Sequence, residues 1–376
     1  MNRTATKFLT SLSKLFMPVT FLLLLFMPII QMSFNVLPDY KASDNREMAK
    51  MPELSIVSLT AVKQFTQDYE IYFNDNFGLR NSLIRINALI NFHLLNKSPV
   101  PDVVIGKNGW LFYNSATDGV NLPDFMGSVP FSADDIKNIE IKMKALQEEF
   151  RKRKIVFVVA LSPSKHTIYP EMLPDEVLSK KGKLTRADQI DEVLPRIGVR
   201  FVDLRNELTR EKETNKIPLY YLTDTHWNNL GAFYGYQRLA NAIHQELPNF
   251  RGLSYDDFDV KVERNPGEGD IANMVSMCGT LTDFIVKFIQ KRPAKATAVK
   301  SDYGDISICY EVNDTTLPKL LVFRDSFFSA LIPFLTESFS RSVFLSQLFV
   351  DLSIVDKEKP NVVVLEFVER YSSVLM

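Results

Sequence analysis

An α/β fold built on a largely parallel sheet flanked by helices, preceded by a membrane-anchoring segment, is what this sequence predicts. Three observations carry that expectation. Five short runs are apolar at nearly every position: Ile155 to Leu161, Phe201 to Leu204, Leu320 to Phe323, Val343 to Phe349 and Val362 to Phe367. Strands look like this when helices cover both faces of a parallel sheet. Between most of the runs lie stretches with apolar residues at steps of three and four, the helical period. The third observation is an uncharged apolar N-terminal segment behind a basic flank. Composition agrees with a folded chain: 376 residues, 46% hydrophobic and 24% charged, which excludes disorder as the main state. A net charge of −1 with no long basic run gives no footprint for nucleic acid. Two cysteines and four histidines cannot assemble the usual Cys/His zinc cage, so neither a metal nor a cofactor is expected.

Taken in order, Arg3, Lys7 and Lys14 precede Leu15 to Phe34, which carries no charge and has about the ~20-residue length that crosses a bilayer core. The positive-inside rule places the N-terminus in the cytoplasm and the chain after about residue 40 outside. The exit, QMSFNVLPDY, has no small-x-small cleavage site, which favours an uncleaved signal anchor over residues 1–38, although Pro18 and Pro28 interrupt it. Residues 39–100 read as a linker followed by helical spacing from Leu59 to Leu95, with Gly78 the expected break. Val103 to Tyr113, VVIGKNGWLFY, reads as a hairpin around Asn108-Gly109, with Trp110 in the core. Ser132 and Asp135 cap a helix whose apolar face is Ile136, Ile139, Met143, Leu146 and Phe150. The α/β domain is expected over 101–376, with an irregular insertion near 255–307. Cys278 and Cys309 fit either a disulfide or two buried thiols.

In such sheets the site lies at the carboxyl ends of the strands, and two motifs fall there. The first is YYLTDTHWNNLG, Tyr220 to Gly231, just ahead of an amphipathic helix. Asp224 can reach Nδ1 of His226, fix its tautomer and leave Nε2 free as a base. The same segment also suits a helix start capped by Asp224 or Asn228. The second is LLVFRDSFF, Leu320 to Phe328, which puts Ser326 at a strand-to-helix turn, where new backbone N–H groups can stabilise an oxyanion. Asp325 or Ser326 as a plain N-cap is the alternative. Together they supply Asp224, His226 and Ser326 as acid, base and nucleophile. Lys165 and His166, after the strand Ile155 to Leu161, are expected on the same rim as substrate contacts. Trp227 and Tyr221 are candidates for substrate contacts or for core packing. Glu369 and Arg370 read equally as an ion pair or a site.

These motifs resemble the membrane-anchored alginate O-acetyltransferase family, whose catalytic domain has an SGNH-hydrolase-like (flavodoxin-like) fold. The resemblance rests on YFNDNFGLRNSLIR (Tyr72 to Arg85), VVIGKNGWLFY, SPSKHTIYPEMLP (Ser162 to Pro174), TDTHWNNLGA (Thr223 to Ala232) and the Asp-Ser-Phe of LLVFRDSFF. It implies an acetyl-transferring domain outside the cytoplasmic membrane, held there by a single span. Ser326 would be the nucleophile, His226 the base and Asp224 the orienting acid. A membrane-embedded donor protein would supply acetyl groups for the hydroxyls of an exopolysaccharide. The family serine follows Gly-Asp, whereas here Arg324 holds the glycine position, which puts the oxyanion hole in question and makes Arg324 a candidate substrate contact. The chain ends soon after its last strand, so the extra carbohydrate-binding domain of some relatives is not expected. A carbohydrate esterase with the same triad, and a non-catalytic polysaccharide-binding or assembly component, are the competing readings.

Overall fold

The computed structural model describes residues 3–40, 47–54, 56–114 and 121–376. They fall into two compact units, Met1–Pro99 with Val275–Met277, and Val100–Met274 with Cys278–Met376.

The first unit is helical. Helix α1 (Arg3–Phe34) contains both Pro18 and Pro28. Its stretch Phe16–Phe34 has a mean hydropathy of 1.9, with long apolar side chains such as Phe16, Leu24 and Phe34 exposed. It is the one helix among the described residues long and apolar enough to span a membrane. Helices α2 (Leu59–Asn76) and α3 (Arg80–Ile90) follow. The break between them is where the sequence places it, but the left-handed residue is Leu79, at φ 63°. Gly78 serves a different end: a Cβ there would stand 2.1 Å from the Pro28 carbonyl oxygen, so only glycine lets the two backbones approach.

Among the described residues, the second unit carries eleven strands. The hairpin β1 (Val103–Ile105) and β2 (Leu111–Tyr113) turns through Asn108 and Gly109, both at positive φ, and buries Trp110. Strands β3 (Val156–Ser162), β4 (Arg200–Asp203), β9 (Lys319–Phe323), β10 (Arg341–Leu345) and β11 (Val362–Val368) are the five predicted runs. In the sheet they stand in the order β4-β3-β11-β9-β10, all parallel. Two antiparallel strands, β8 (Ser307–Glu311) and β7 (Thr297–Val299), extend the β10 edge. The run through Phe349 leaves the sheet after Leu345, where Ser346 donates to the Ile306 carbonyl and Phe349 turns to solvent. The insertion is more regular than its sequence suggests. It contains the long antiparallel hairpin β5 (Phe258–Pro266) and β6 (Thr282–Gln290).

Alternation along each strand sends side chains to two cores. On one side Phe157, Val159, Leu321, Phe323 and Val363 pack on α4 (Ala133–Arg153), α5 (Arg186–Arg196) and α8 (Leu352–Glu358). On the other, Val158, Ala160, Val322 and Val364 meet Phe233, Tyr236 and Leu239 of α7 (Asn229–Glu246), which follows α6 (Arg205–Thr214). Helix α4 starts on the predicted capping box of Ser132 and Asp135. Cys278 and Cys309 are not bonded to each other, so the structure does not carry the disulfide alternative. With both faces covered, the carboxyl ends of β3, β9, β10 and β11 form the rim on which a site can be built.

Candidate active site

The turn after β9 is braced from below. Asp325, deeply buried, accepts hydrogen bonds from Phe327 N (2.8 Å) and Val368 N (2.7 Å), tying the turn to the end of β11. Its own amide donates to Glu366 (3.3 Å), a fully buried residue of β11 that also takes the Ser162 hydroxyl. Burial, aggravated by the charge of Asp325, pushes Glu366 well above the ordinary carboxylate range and so favours its protonated form. Arg324 turns inward as well. Its Nη1 donates to the Asp325 carbonyl (3.0 Å) and to Ser329 Oγ (2.8 Å). Ser326 is thereby left as the exposed residue of the turn, directly ahead of a short 3₁₀ segment, Phe327–Ala330.

The opposing turn precedes α7. Asn228 caps that helix by accepting from Leu230 N and Gly231 N, which leaves Asp224 for the imidazole. Asp224 Oδ1 accepts from the His226 backbone amide (2.9 Å) and from Nδ1 (2.6 Å). Nε2 of the same ring lies 2.8 Å from Ser326 Oγ. Burial opposes ionisation of Asp224, but the hydrogen bonds and charge attraction of His226 outweigh it and hold the carboxyl below its usual value. With Nδ1–H given to a carboxylate, Nε2 is the basic nitrogen, and it sits where it can take the hydroxyl proton of an attacking serine.

The insertion clamps this turn from outside. Asp283 accepts from Leu222 N (2.5 Å) and binds the Thr223 hydroxyl. Asp270 accepts from Thr225 N (2.7 Å) and Thr225 Oγ1 (2.6 Å). A Cβ on Gly269 would stand 2.4 Å from the Thr223 carbonyl oxygen, so the insertion backbone approaches closely there. Asp224, His226 and Asp270 form the one group among the described residues with carboxylate and imidazole atoms near enough for a cation. Those atoms are already committed to one another and to Thr225 by hydrogen bonds. An acidic cleft of about 510 Å³, lined by Tyr221, Asp224, Glu268 and Asp283, opens beside the turn. A second cleft of about 580 Å³, lined by Phe258, Phe288, Phe334, Tyr310 and Ser329, flanks the segment after Ser326.

The structure therefore brings Asp224, His226 and Ser326 together, and it turns the four expected substrate contacts inward. Lys165 and His166 open a short helix, Lys165–Ile168, whose side chains enter the core. Lys165 Nζ donates to the carbonyls of Leu111 (2.7 Å) and Leu222 (3.2 Å), a brace beneath the base turn. Burial lowers it to about 8, against the pull of Asp224, Asp270 and Asp283. His166 packs against Phe112 and Phe125, and burial lowers it to about 3. Trp227 is core and donates Nε1 to the Phe327 carbonyl (3.0 Å), joining the two turns. Arg324 is buried under the nucleophile turn, as described. Glu369 and Arg370 are not an ion pair: Glu369 accepts from Ser164 N (2.5 Å) and Thr167 Oγ1 (2.6 Å), while Arg370 lies over the rings of Phe327 and Tyr371. Sequence reasoning missed Thr225, Asp270, Asp283 and Glu366. The first is the middle residue of the Asp-x-His motif, and the acidic character of Glu366 inside a buried strand was the available signal for the last.

The fold and this arrangement define the SGNH-hydrolase-like class. Residues 103–305 match the family described as SGNH hydrolase-like domain, acetyltransferase AlgX, and the chain belongs to that family. The match includes Asp224 and His226 and stops short of Ser326. Among individual proteins, the chain is similar to one named Probable alginate O-acetylase AlgJ from Pseudomonas syringae pv. tomato. They are 26% identical over 247 residues, covering 64% of this chain and 59% of that protein. The protein of the same name from Pseudomonas aeruginosa is 26% identical over 181 residues, 47% of this chain and 42% of its own length. The chain thus spans about half the length of the curated relatives it matches. The solved structure of Bacillus cereus PatB1 has the same fold, with a TM-score of 0.55 at 18% identity, covering 73% of this chain and 98% of that one.

Proposed function

We propose that this protein is a serine-dependent O-acetyltransferase that acts outside the cytoplasmic membrane on an exopolysaccharide of the alginate kind. The observation that carries the reading is the unbroken hydrogen-bonded series from Asp224 through His226 to Ser326, at 2.6 and 2.8 Å. In the reaction, His226 Nε2 takes the Ser326 proton as Oγ attacks the acetyl carbonyl of the donor. The tetrahedral intermediate collapses to acetyl-Ser326, and the proton passes to the departing donor group. A glycan hydroxyl then attacks the acetyl-serine. His226 takes the proton of that hydroxyl and returns it to Ser326 Oγ. Asp224 keeps the ring oriented and stabilises the imidazolium in both halves. The aromatic cleft beside Ser329 offers ring faces to the sugar chain, and the apolar stretch of α1 serves as a signal anchor. Anchoring raises the effective concentration of the domain near a membrane-embedded acetyl donor. The AlgJ proteins named above supply the polysaccharide in this reading.

The test is release of p-nitrophenol from its acetate by the purified chain, with and without oligosaccharide, set against Ser326→Ala and His226→Ala. Activity lost in both variants, with acetyl mass appearing on the sugar, supports the transferase. Activity that never transfers to sugar makes the protein an esterase. A wild-type rate equal to that of Ser326→Ala leaves the binding or assembly role.

A further inference from the structure

We propose that Asp270 is a second positioning acid for the His226 imidazole, acting through the Thr225 hydroxyl. The inference rests on the triad reading above and adds a residue to it.

The geometry is specific. Thr225 Oγ1 gives its proton to Asp270 Oδ2 at 2.6 Å, so its lone pairs remain available. That same oxygen is 3.1 Å from His226 Nδ1. The Nδ1–H therefore faces two acceptors, Asp224 Oδ1 at 2.6 Å and the Thr225 hydroxyl, whose dipole is fixed by Asp270. Asp270 Oδ2 itself is 3.9 Å from Nδ1, near enough for its charge to act directly. The backbone of Asp270 contributes separately, because its amide donates to Asp224 Oδ2 (3.2 Å) and sets the rotamer that aims Oδ1 at the ring. One residue of the insertion thus orders both partners of Nδ1.

When Ser326 Oγ passes its proton to Nε2, the imidazole becomes a cation. The groups around that ring are Asp224, Asp270 and Thr225 on the Nδ1 side, and Ser326 with the buried Asp325 on the other. The Arg370 guanidinium lies over the Phe327 ring, and Lys165 lies beneath the turn. Of the nearby carboxylates, Asp224 and Asp270 have salt-bridge contacts with the ring. A second anion there favours the charged form of the ring and weakens none of the contacts that hold Ser326.

The test uses the full chain in detergent micelles and compares wild type with Asp270→Asn, Thr225→Val, Thr225→Ser and the double variant Asp270→Asn/Thr225→Val. In Asp270→Asn the acid limb of the kcat/KM profile for p-nitrophenyl acetate is expected about half a pH unit lower, with the plateau down roughly tenfold. Thr225→Ser keeps the wild-type profile. The double variant loses less than the product of the two single losses, because both act on one contact. A plateau loss with an unmoved acid limb would reduce Asp270 to a structural brace and overturn the proposal, as would an unchanged profile. Should the wild type fail to turn over the ester, NMR titration of the His226 ring in wild type and Asp270→Asn still decides. A midpoint that falls in the variant supports the role, and coincident midpoints overturn it whatever the reaction is.

Discussion

The two turns that meet at the hydrogen bond between His226 and Ser326 are built in opposite ways. The nucleophile turn is held from inside the sheet, by Asp325, Glu366 and Arg324, all of them buried. The base turn is held by the insertion, through the buried Asp283 and the half-exposed Asp270, and from below by the buried Lys165. Buried polar contacts are costly to break, because each orphaned group loses water as well as its partner. Contacts near solvent can be replaced by water. The serine turn is thus held by buried contacts alone, whereas the base turn also depends on Asp270, whose half-exposed carboxylate can exchange its partners for water.

The largest expected effect removes the hydrogen bond between the turns. Ser326→Ala or His226→Ala should each cost on the order of 10⁴-fold or more in kcat, and the double variant little beyond that, because members of a triad fail as a unit. Steady-state ester hydrolysis checks it. The comparison itself is tested by Asp325→Ala against Asp270→Asn. The former leaves the buried amides of Phe327 and Val368 without acceptors, at about 1–3 kcal/mol each. Thermal denaturation should show a clear fall for Asp325→Ala and little change for Asp270→Asn, and equal losses would erase the distinction drawn here.

A third expectation concerns pH. Burial lifts Glu369 from 4.5 to about 7, against the pull of Arg205. The folded state then holds a proton that the unfolded state has released, so this contribution is present in full below about pH 4.5 and is lost as pH rises through about 7. The displacement corresponds to about 3 kcal/mol. Urea midpoints at pH 5 and pH 8 should diverge more for wild type than for Glu369→Gln. The smallest effect falls on the base turn: Asn228→Ala removes the cap of α7 and should cost about 1 kcal/mol, read as a shift of the urea midpoint.

Much of the architecture was legible because burial on both faces leaves a mark in the sequence. The strands β3 and β11, VFVVALS and VVVLEFV, can be read as such from their apolar runs. The hairpin β5 and β6 could not be read that way. Of FDVKVERNP only Phe258 is buried, and its mark is instead the alternation of Phe258, Val260 and Val262 with Asp259, Lys261 and Glu263. The residues Asp224, His226 and Ser326 were visible as two local motifs, each adjacent in sequence to the element that positions it. The clamp was not, since Asp270 and Asp283 act on residues more than forty positions away. Lys165 and His166 were correctly located after a strand, but a residue after a strand can face the cleft or the core. Here carbonyls of Leu111 and Leu222, reached only in the folded state, drew the ammonium inward.

Burial favours the protonated form of Glu366, and a protonated carboxyl at that position is a vibrational reporter. A protonated carboxyl has a carbonyl stretch distinct from that of the ionised acids at the surface, and this one is bonded to the amide of Asp325, the residue before the nucleophile. Infrared difference spectra taken as Ser326 is acylated would therefore register, through a single buried bond, whether the turn stays still or gives.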